Sequence, residues 1–234
     1  MPAFYSPASS VAVAQALGNK GILYLRAPLS GSTALAEKAA LTVLASGDAG
    51  AWETALPALE AMSARRFYLG PGEEARFMKL VLNTLVGASS AILSEALALG
   101  TKGGLSTSDM MRVIGESAVA SPLFGYKTEA VVSDDYTPAF TVAQMIKDFT
   151  LISDTARSEG VPVFTTSLIL ELYRAAANAG LREEDFFALV KCIDAAMPLL
   201  RQQLRQRDQL QGGSARVSPK LVVMSSSVTY QALP

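Results

Sequence analysis

The stretch from Phe77 to Leu99 constrains this chain more than any other feature. It is apolar almost all the way round a helix and carries only Lys79, Asn83 and Glu95 as strongly polar interruptions. A helix with so little polar surface is normally buried on most sides. Its uncharged part, Leu80 to Ser94, is shorter than the ~20 residues a membrane-spanning helix needs, so the reading is a buried helix of a soluble protein. The surrounding sequence predicts a helix from Glu73 to Lys102, stopped by Gly103-Gly104.

The exceptions fall on one side of that helix. Lys79, Asn83, Gly87, Ser90 and Ser94 follow one another at four, four, three and four residues, so they share a face. Burying a lysine is costly unless something uses or pairs it. Desolvation lowers a lysine's pKa and brings it within range of proton transfer near neutral pH. Asn83, one turn away, offers both a donor and an acceptor to a bound polar group. The alternative is that Lys79 snorkels to the surface and the stripe serves only close helix packing.

Before this helix the pattern is α/β. A short helix over Ser9–Leu17 ends at Gly18-Asn19, and apolar runs at Ile22–Leu25 and Leu41–Ala45 read as strands. Leu29–Thr33 reads as a loop, Ala51–Met62 as an amphipathic helix, and Arg66–Leu69 as a third strand before Gly70-Pro71-Gly72. After it the pattern is helical: about 107–116, Pro122–Val132, Thr141–Glu159, Phe164–Ala179, and a last helix from Glu183 to about Gln209. The tail opens with the linker-like Gly212-Gly213-Ser214. The expected domains are therefore 1–70, 71–210 and a flexible tail over 211–234.

Composition excludes several chemistries. The chain has no histidine, which removes Ser-His-Asp triads, histidine zinc sites and imidazole relays. Its single cysteine, Cys192, sits in an apolar helical pattern and reads as a core residue. It can form neither an internal disulfide nor a thiolate metal site, which suggests a reducing, cytoplasmic setting. No metal site is expected. The formal net charge of −1 gives no footprint for nucleic acid or for a membrane surface.

The segment Lys79-Leu80-Val81-Leu82-Asn83 resembles the lysine–asparagine motif of the β-hydroxyacid dehydrogenases, with Leu82 where the family has a first asparagine. Upstream, Arg26-Ala27-Pro28-Leu29-Ser30-Gly31-Ser32 is similar to the family's Asp-Ala-Pro-Val-Ser-Gly-Gly loop; Arg26 replaces the aspartate and Ser32 the second glycine. Gly70 fits the family pattern, but Ala75 and Arg76 stand where it usually has glycine and glutamine. Downstream, Glu95-Ala96, Phe140 and Lys147-Asp148 continue the likeness, which covers roughly Ser6 to Met197.

The resemblance implies that Lys79 is the general acid–base group and that Ser30, Gly31, Ser32, Asn83 and Asp148 hold a small hydroxy acid. It further implies that Lys147 contacts the cofactor, NAD or NADP, and that the helical domain forms a homodimer. On their own, Ser-Gly-Ser reads as a surface turn and Lys-Asp as a solvated helix face. Family members begin with a Rossmann domain bearing Gly-x-Gly-x-x-Gly, and these 234 residues contain no such motif. The expected fold is accordingly mainly α: an all-α helical domain like that of 6-phosphogluconate dehydrogenase, preceded by a remnant of a Rossmann α/β domain. The expected function is NAD(P)-dependent oxidation of a small 3-hydroxy acid, incomplete in this chain. The alternative is a non-catalytic dimerising or acid-binding module.

Overall fold

The computed structural model describes residues 7–193 and residue 195. The chain opens with helix α1 (Pro7–Gly18) and enters strand β1 (Leu25–Arg26). Strand β2 (Leu29–Ser30), helix α2 (Thr33–Glu37) and strand β3 (Leu41–Gly47) follow, then helix α3 (Ala49–Met62) and strand β4 (Ser63–Tyr68). β3 is the centre of the sheet. Six of its seven residues are buried, as expected of a strand covered on both faces.

β1 and β2 run antiparallel to β3 in one continuous register, pairing Leu25 with Gly47, Arg26 with Ser46, Leu29 with Val43 and Ser30 with Thr42. They count as two strands because Pro28 has no N–H to donate; its carbonyl still accepts from Leu44 N–H at 3.0 Å. On the other side β4 runs parallel to β3, with α3 as the crossover. Asp48 starts α3 by accepting the Ala51 N–H at 2.8 Å.

This region corrects the expectation of a mainly α chain with only a vestige of α/β structure. The short apolar runs are not isolated fragments: one antiparallel register joins β1 and β2 to β3, and β4 adds a parallel fourth strand to make an α/β sheet. Two boundaries also differ. Ile22 and Leu23, expected in a buried strand, are exposed. The Ile22 N–H donates back to Leu17 O at 3.1 Å, so it closes α1 rather than joining the sheet. The expected loop at Leu29–Thr33 instead supplies β2 and the start of α2.

The helical region comprises α4 (Glu74–Lys102), α5 (Thr107–Glu116), α6 (Pro122–Ser133), α7 (Val142–Ser158) and α8 (Phe164–Ala176). Side-chain caps start three of them: Ser106, Ser121 and Thr141, the last in a capping box with Gln144. A wide turn over Ala177–Leu181, with Gly180 at φ 93°, leads to a short 3₁₀ turn, Phe186–Ala188. The helix expected from Glu183 is thus interrupted at Asp185, whose carboxylate caps that turn. Helix resumes over residues 189–193; residue 194 and the residues from 196 onward, which include the remainder of that expected helix and the tail over 211–234, lie outside the described residues. The core gathers Met111, Val142, Met145, Phe149, Tyr173 and Phe187.

α4 is less buried than its sequence suggests. One face packs tightly: a Cβ on Gly87 would overlap the Phe149 ring, Tyr173 OH donates to Gly87 O at 3.0 Å, and Ser90 Oγ donates to Phe186 O at 3.0 Å. The opposite face leaves Val81, Leu85, Ile92 and Leu99 exposed. By length and composition α4 is apolar enough to cross a membrane. Its inner face, though, is committed to α7 and α8.

Candidate active site

The stripe read on α4 divides into two parts. Gly87, Ser90 and Ser94 are buried, so this half serves close packing. Lys79 and Asn83 lie one to two turns nearer the helix start and face the middle of α7. There Asn83 Nδ2 donates to Asp148 Oδ2 at 2.7 Å, while Lys147 Nζ lies 3.1 Å from Asp148 Oδ1. Asp148 therefore engages both neighbours with its two oxygens. Asn83 keeps its second amide hydrogen and its carbonyl for a ligand.

Electrostatics single out Lys79. Desolvation holds its pKa below the ordinary lysine value; the Asp148 carboxylate pulls it back up, and the Lys147 ammonium pushes it further down. A partly buried amine between a carboxylate and a second cation can exchange a proton at lower pH than a surface lysine. Lys147 itself is exposed, as a residue must be to meet an anionic group from solvent.

The Ser30–Ser32 segment closes β2 and leads into α2. Gly31 adopts φ 141°, and a Cβ there would meet Leu41 Cδ2 at 2.8 Å, so the turn requires glycine. Among the described residues no hydrogen bond joins Ser30, Gly31 or Ser32 to Lys79, Asn83 or Asp148.

A junction that sequence reasoning did not anticipate connects the two regions. Arg26 is buried and forms an ion pair with Glu73, the residue just before α4, and its Nε lies 3.0 Å from Ser10 Oγ. Arg76 Nη2 donates to Tyr24 OH at 3.2 Å. Burial raises the Tyr24 pKa, but its hydrogen bonds to Ser10 and Arg76 and the charges of Arg76 and Arg26 outweigh this and hold it below the ordinary value. Ser46, fully buried on β3, donates to Gly72 O at 2.9 Å and accepts the Ala75 N–H at 3.1 Å, capping α4 from the sheet. The visible signal was a pair of departures from the family pattern: Arg26 and Arg76 introduce charge into apolar surroundings and find partners in Glu73 and Tyr24.

Residues 74–193 match the family model described as "NAD-binding of NADP-dependent 3-hydroxyisobutyrate dehydrogenase". The chain belongs to this β-hydroxyacid dehydrogenase family. Residues 4–70 match the model described as "NAD binding domain of 6-phosphogluconate dehydrogenase". This corrects the expectation that the dinucleotide-binding domain has been lost to a remnant: the α/β region is recognisable sequence of that domain.

The chain is 33% identical to the chloroplastic glyoxylate/succinic semialdehyde reductase 2 of Arabidopsis thaliana, over 81% of this chain and 53% of the relative. It is 36% identical to the L-threonate dehydrogenase of Haemophilus influenzae, over 76% and 60%. Its fold matches the crystal structure of 3-hydroxyisobutyrate dehydrogenase from Salmonella typhimurium with a TM-score of 0.74 and 31% identity, covering 80% of this chain and 66% of that one. The chain spans 53% to 64% of the length of the first three curated relatives. The family's relatives are dehydrogenases and reductases of small acids, which gives the non-catalytic alternative no support.

The family's cofactor is NAD or NADP, and the two regions fit it unequally. The exposed Lys147 ammonium beside the Lys79 site suits an anionic part of the group. The turn from β3 into α3 does not suit the diphosphate. Asp48 already fills that helix start with a carboxylate, which would repel a phosphate.

Proposed function

We propose that this chain carries out the proton-transfer part of the NAD(P)-dependent oxidation of a small 3-hydroxy acid. The observation that supports it is the Lys79–Asn83–Asp148–Lys147 constellation, with the Lys79 amine desolvated and its pKa lowered. In its neutral form Lys79 Nζ takes the substrate hydroxyl proton; in the reverse direction the ammonium returns it to the forming alkoxide. The bound nicotinamide supplies the hydride acceptor. Asn83, oriented by Asp148, holds the reacting oxygen. Ser30, Gly31 and Ser32 offer a hydroxyl and open backbone for the substrate carboxylate. Lys147 neutralises charge on the cofactor side. The homodimer through the helical region belongs to the same proposal.

The test is turnover on a panel of small 3-hydroxy acids, followed by NAD(P)H absorbance, for the wild-type chain and Lys79→Ala. Loss of the general base is expected to lower kcat by about 10²–10⁴-fold, with cofactor binding unchanged. Equal turnover in both proteins would remove Lys79 from the reaction. A folded wild-type chain that neither binds the cofactor nor turns over any member of the panel would overturn the reading as a whole.

A further inference from the structure

The junction between the sheet and α4 bears directly on the proposed site. Arg26 is gripped from three sides. Its Nε lies 3.0 Å from Ser10 Oγ on α1, its guanidinium lies 5.0 Å from the centre of the Tyr24 ring, and one oxygen of Glu73 takes both its Nε and its Nη2. Relative exposure is only 7% for Arg26 and 13% for Glu73. An ion pair shielded this well is weakly screened and holds one geometry. Two further ties fix the same spot. Ser46 bonds to Gly72 and Ala75, and the Gly47 N–H donates to Gly70 O at 2.9 Å.

Two rigid arms leave this anchor, and each carries one part of the proposed site. β1 and β2 share one register, so Arg26 and Ser30, four residues apart, lie on the same face of the sheet. At about 3.3 Å per residue this arm is about 13 Å long. The other arm starts at Glu73, the residue that opens α4, and reaches Lys79 about 9 Å further along the helix. Neither arm changes length, because backbone hydrogen bonds hold both. The gap between the Ser30–Ser32 turn and the Lys79 amine is therefore set by the angle at the anchor.

That gap measures a small acid. The carboxylate sits on the turn and the hydroxyl on Lys79, so the number of carbons between them must match it. We infer that the Arg26–Glu73 ion pair selects the chain length of the hydroxy acid turned over, by fixing the angle between β2 and α4. Both are positioning residues, acting through Ser30 and Lys79. This rests on the proposed function and adds its selectivity. It also gives a role to a departure from the family pattern: an aspartate at position 26 would repel Glu73 rather than bind it.

Two primary alcohols that differ by one methylene, 3-hydroxypropanoate and 4-hydroxybutanoate, read the gap. The wild type should prefer the shorter acid by about 10–200-fold in kcat/KM, the range one methylene commands. Glu73→Gln keeps the shape and removes the charge. It should cut that preference by about tenfold, mainly through a lower kcat on the shorter acid, since a misplacement of about 1 Å can cost about 100-fold in rate. The charge swap Arg26→Glu/Glu73→Arg rebuilds a pair of the same length and should restore the preference. The rising limb of the pH–rate profile should stay in place, because burial, Asp148 and Lys147 set the Lys79 pKa and none of them is touched. Spin labels read the angle without any chemistry. Placed on the exposed positions Lys38→Cys and Leu99→Cys in a Cys192→Ser background, they should give one narrow distance with the native pair. Glu73→Gln should broaden or shift it, and the charge swap should narrow it again.

If both acids lose rate in parallel and the preference survives in Glu73→Gln, the pair is only a structural tie and the inference alone is overturned. An unchanged label distance overturns it, as does a wild type indifferent to the extra methylene. So does a displaced pH limb, since the pair would then act on Lys79 by charge. A wild type that turns over no acid of the panel overturns the proposed function, and the selectivity falls with it.

Discussion

The helical region and the α/β region are held together by different means. In the helical region large side chains interlock from several elements: Phe149, Tyr173 and Phe187 are fully buried, and Gly87 leaves room only for the Phe149 ring. The α/β region relies on one strand. Its buried apolar residues are mainly Leu41, Val43, Leu44 and Ala45 of β3 and Ala51 of α3. What it lacks in apolar core it replaces with polar connections to α4, through Arg26 to Glu73 and through Ser46 to Gly72 and Ala75. A helical core of this kind withstands the loss of surface contacts. A sheet pinned by charges depends on each of them.

The sharpest way to break the contrast is a charge inside the helical core. Asp185 is almost fully buried; it binds Lys127 Nζ at 2.6 Å and accepts the N–H groups of Ala139 and Phe187. Asp185→Ala leaves the lysine buried without its counter-charge and should cost about 3–5 kcal/mol, measured by urea denaturation. A loss under about 1 kcal/mol would show that even this core tolerates a stray charge.

Next comes the junction. Arg26→Ala leaves the Glu73 carboxylate poorly solvated and should cost about 1.5–3 kcal/mol, with a local signature. Amide hydrogen exchange should accelerate in β1, β3 and the first turn of α4 while α7 and α8 keep their protection. Uniform acceleration through all helices would mean the two regions unfold together and the contrast is false. Gly87→Ala should cost about 1–3 kcal/mol through the overlap with Phe149. Gly125→Ala in α6, where a Cβ meets nothing within 4 Å, should stabilise by about 0.5–1 kcal/mol.

The same division governs how much could be read from sequence. α4, α5, α6 and α7 were legible because caps and glycine stops act locally: Ser106, Ser121, Thr141 and Gly103 mark boundaries by bonding within a few residues. The sheet was less legible, because the pairing of Leu29 with Val43 is not encoded in either segment alone. Lys79 and Asn83 share a face by helical spacing, so their proximity followed from sequence; Asp148 comes from a helix 65 residues away and entered only through the family likeness. The exposed half of α4 was missed for a physical reason. Apolar periodicity reports that a face avoids water, but whether the chain's own core or another surface covers it is decided by tertiary packing.

The smallest expected effect is also the most specific. Lys79 feels Lys147 as a repulsive charge that lowers its pKa and Asp148 as an attractive one that raises it. As a base in the oxidation direction Lys79 works only when neutral, so activity rises with pH through its pKa. Lys147→Met removes the repulsion, raises that pKa and moves the rising limb to higher pH. Asp148→Asn removes the attraction and moves the limb to lower pH, and it also raises KM, because Asn83 loses the charged acceptor that orients it. Burial alone would leave both midpoints where the wild type has them, since neither substitution changes how deeply Lys79 sits. Opposite displacements from two adjacent residues therefore identify Lys79 as the titrating group. Displacements in the same direction would assign the limb to another residue.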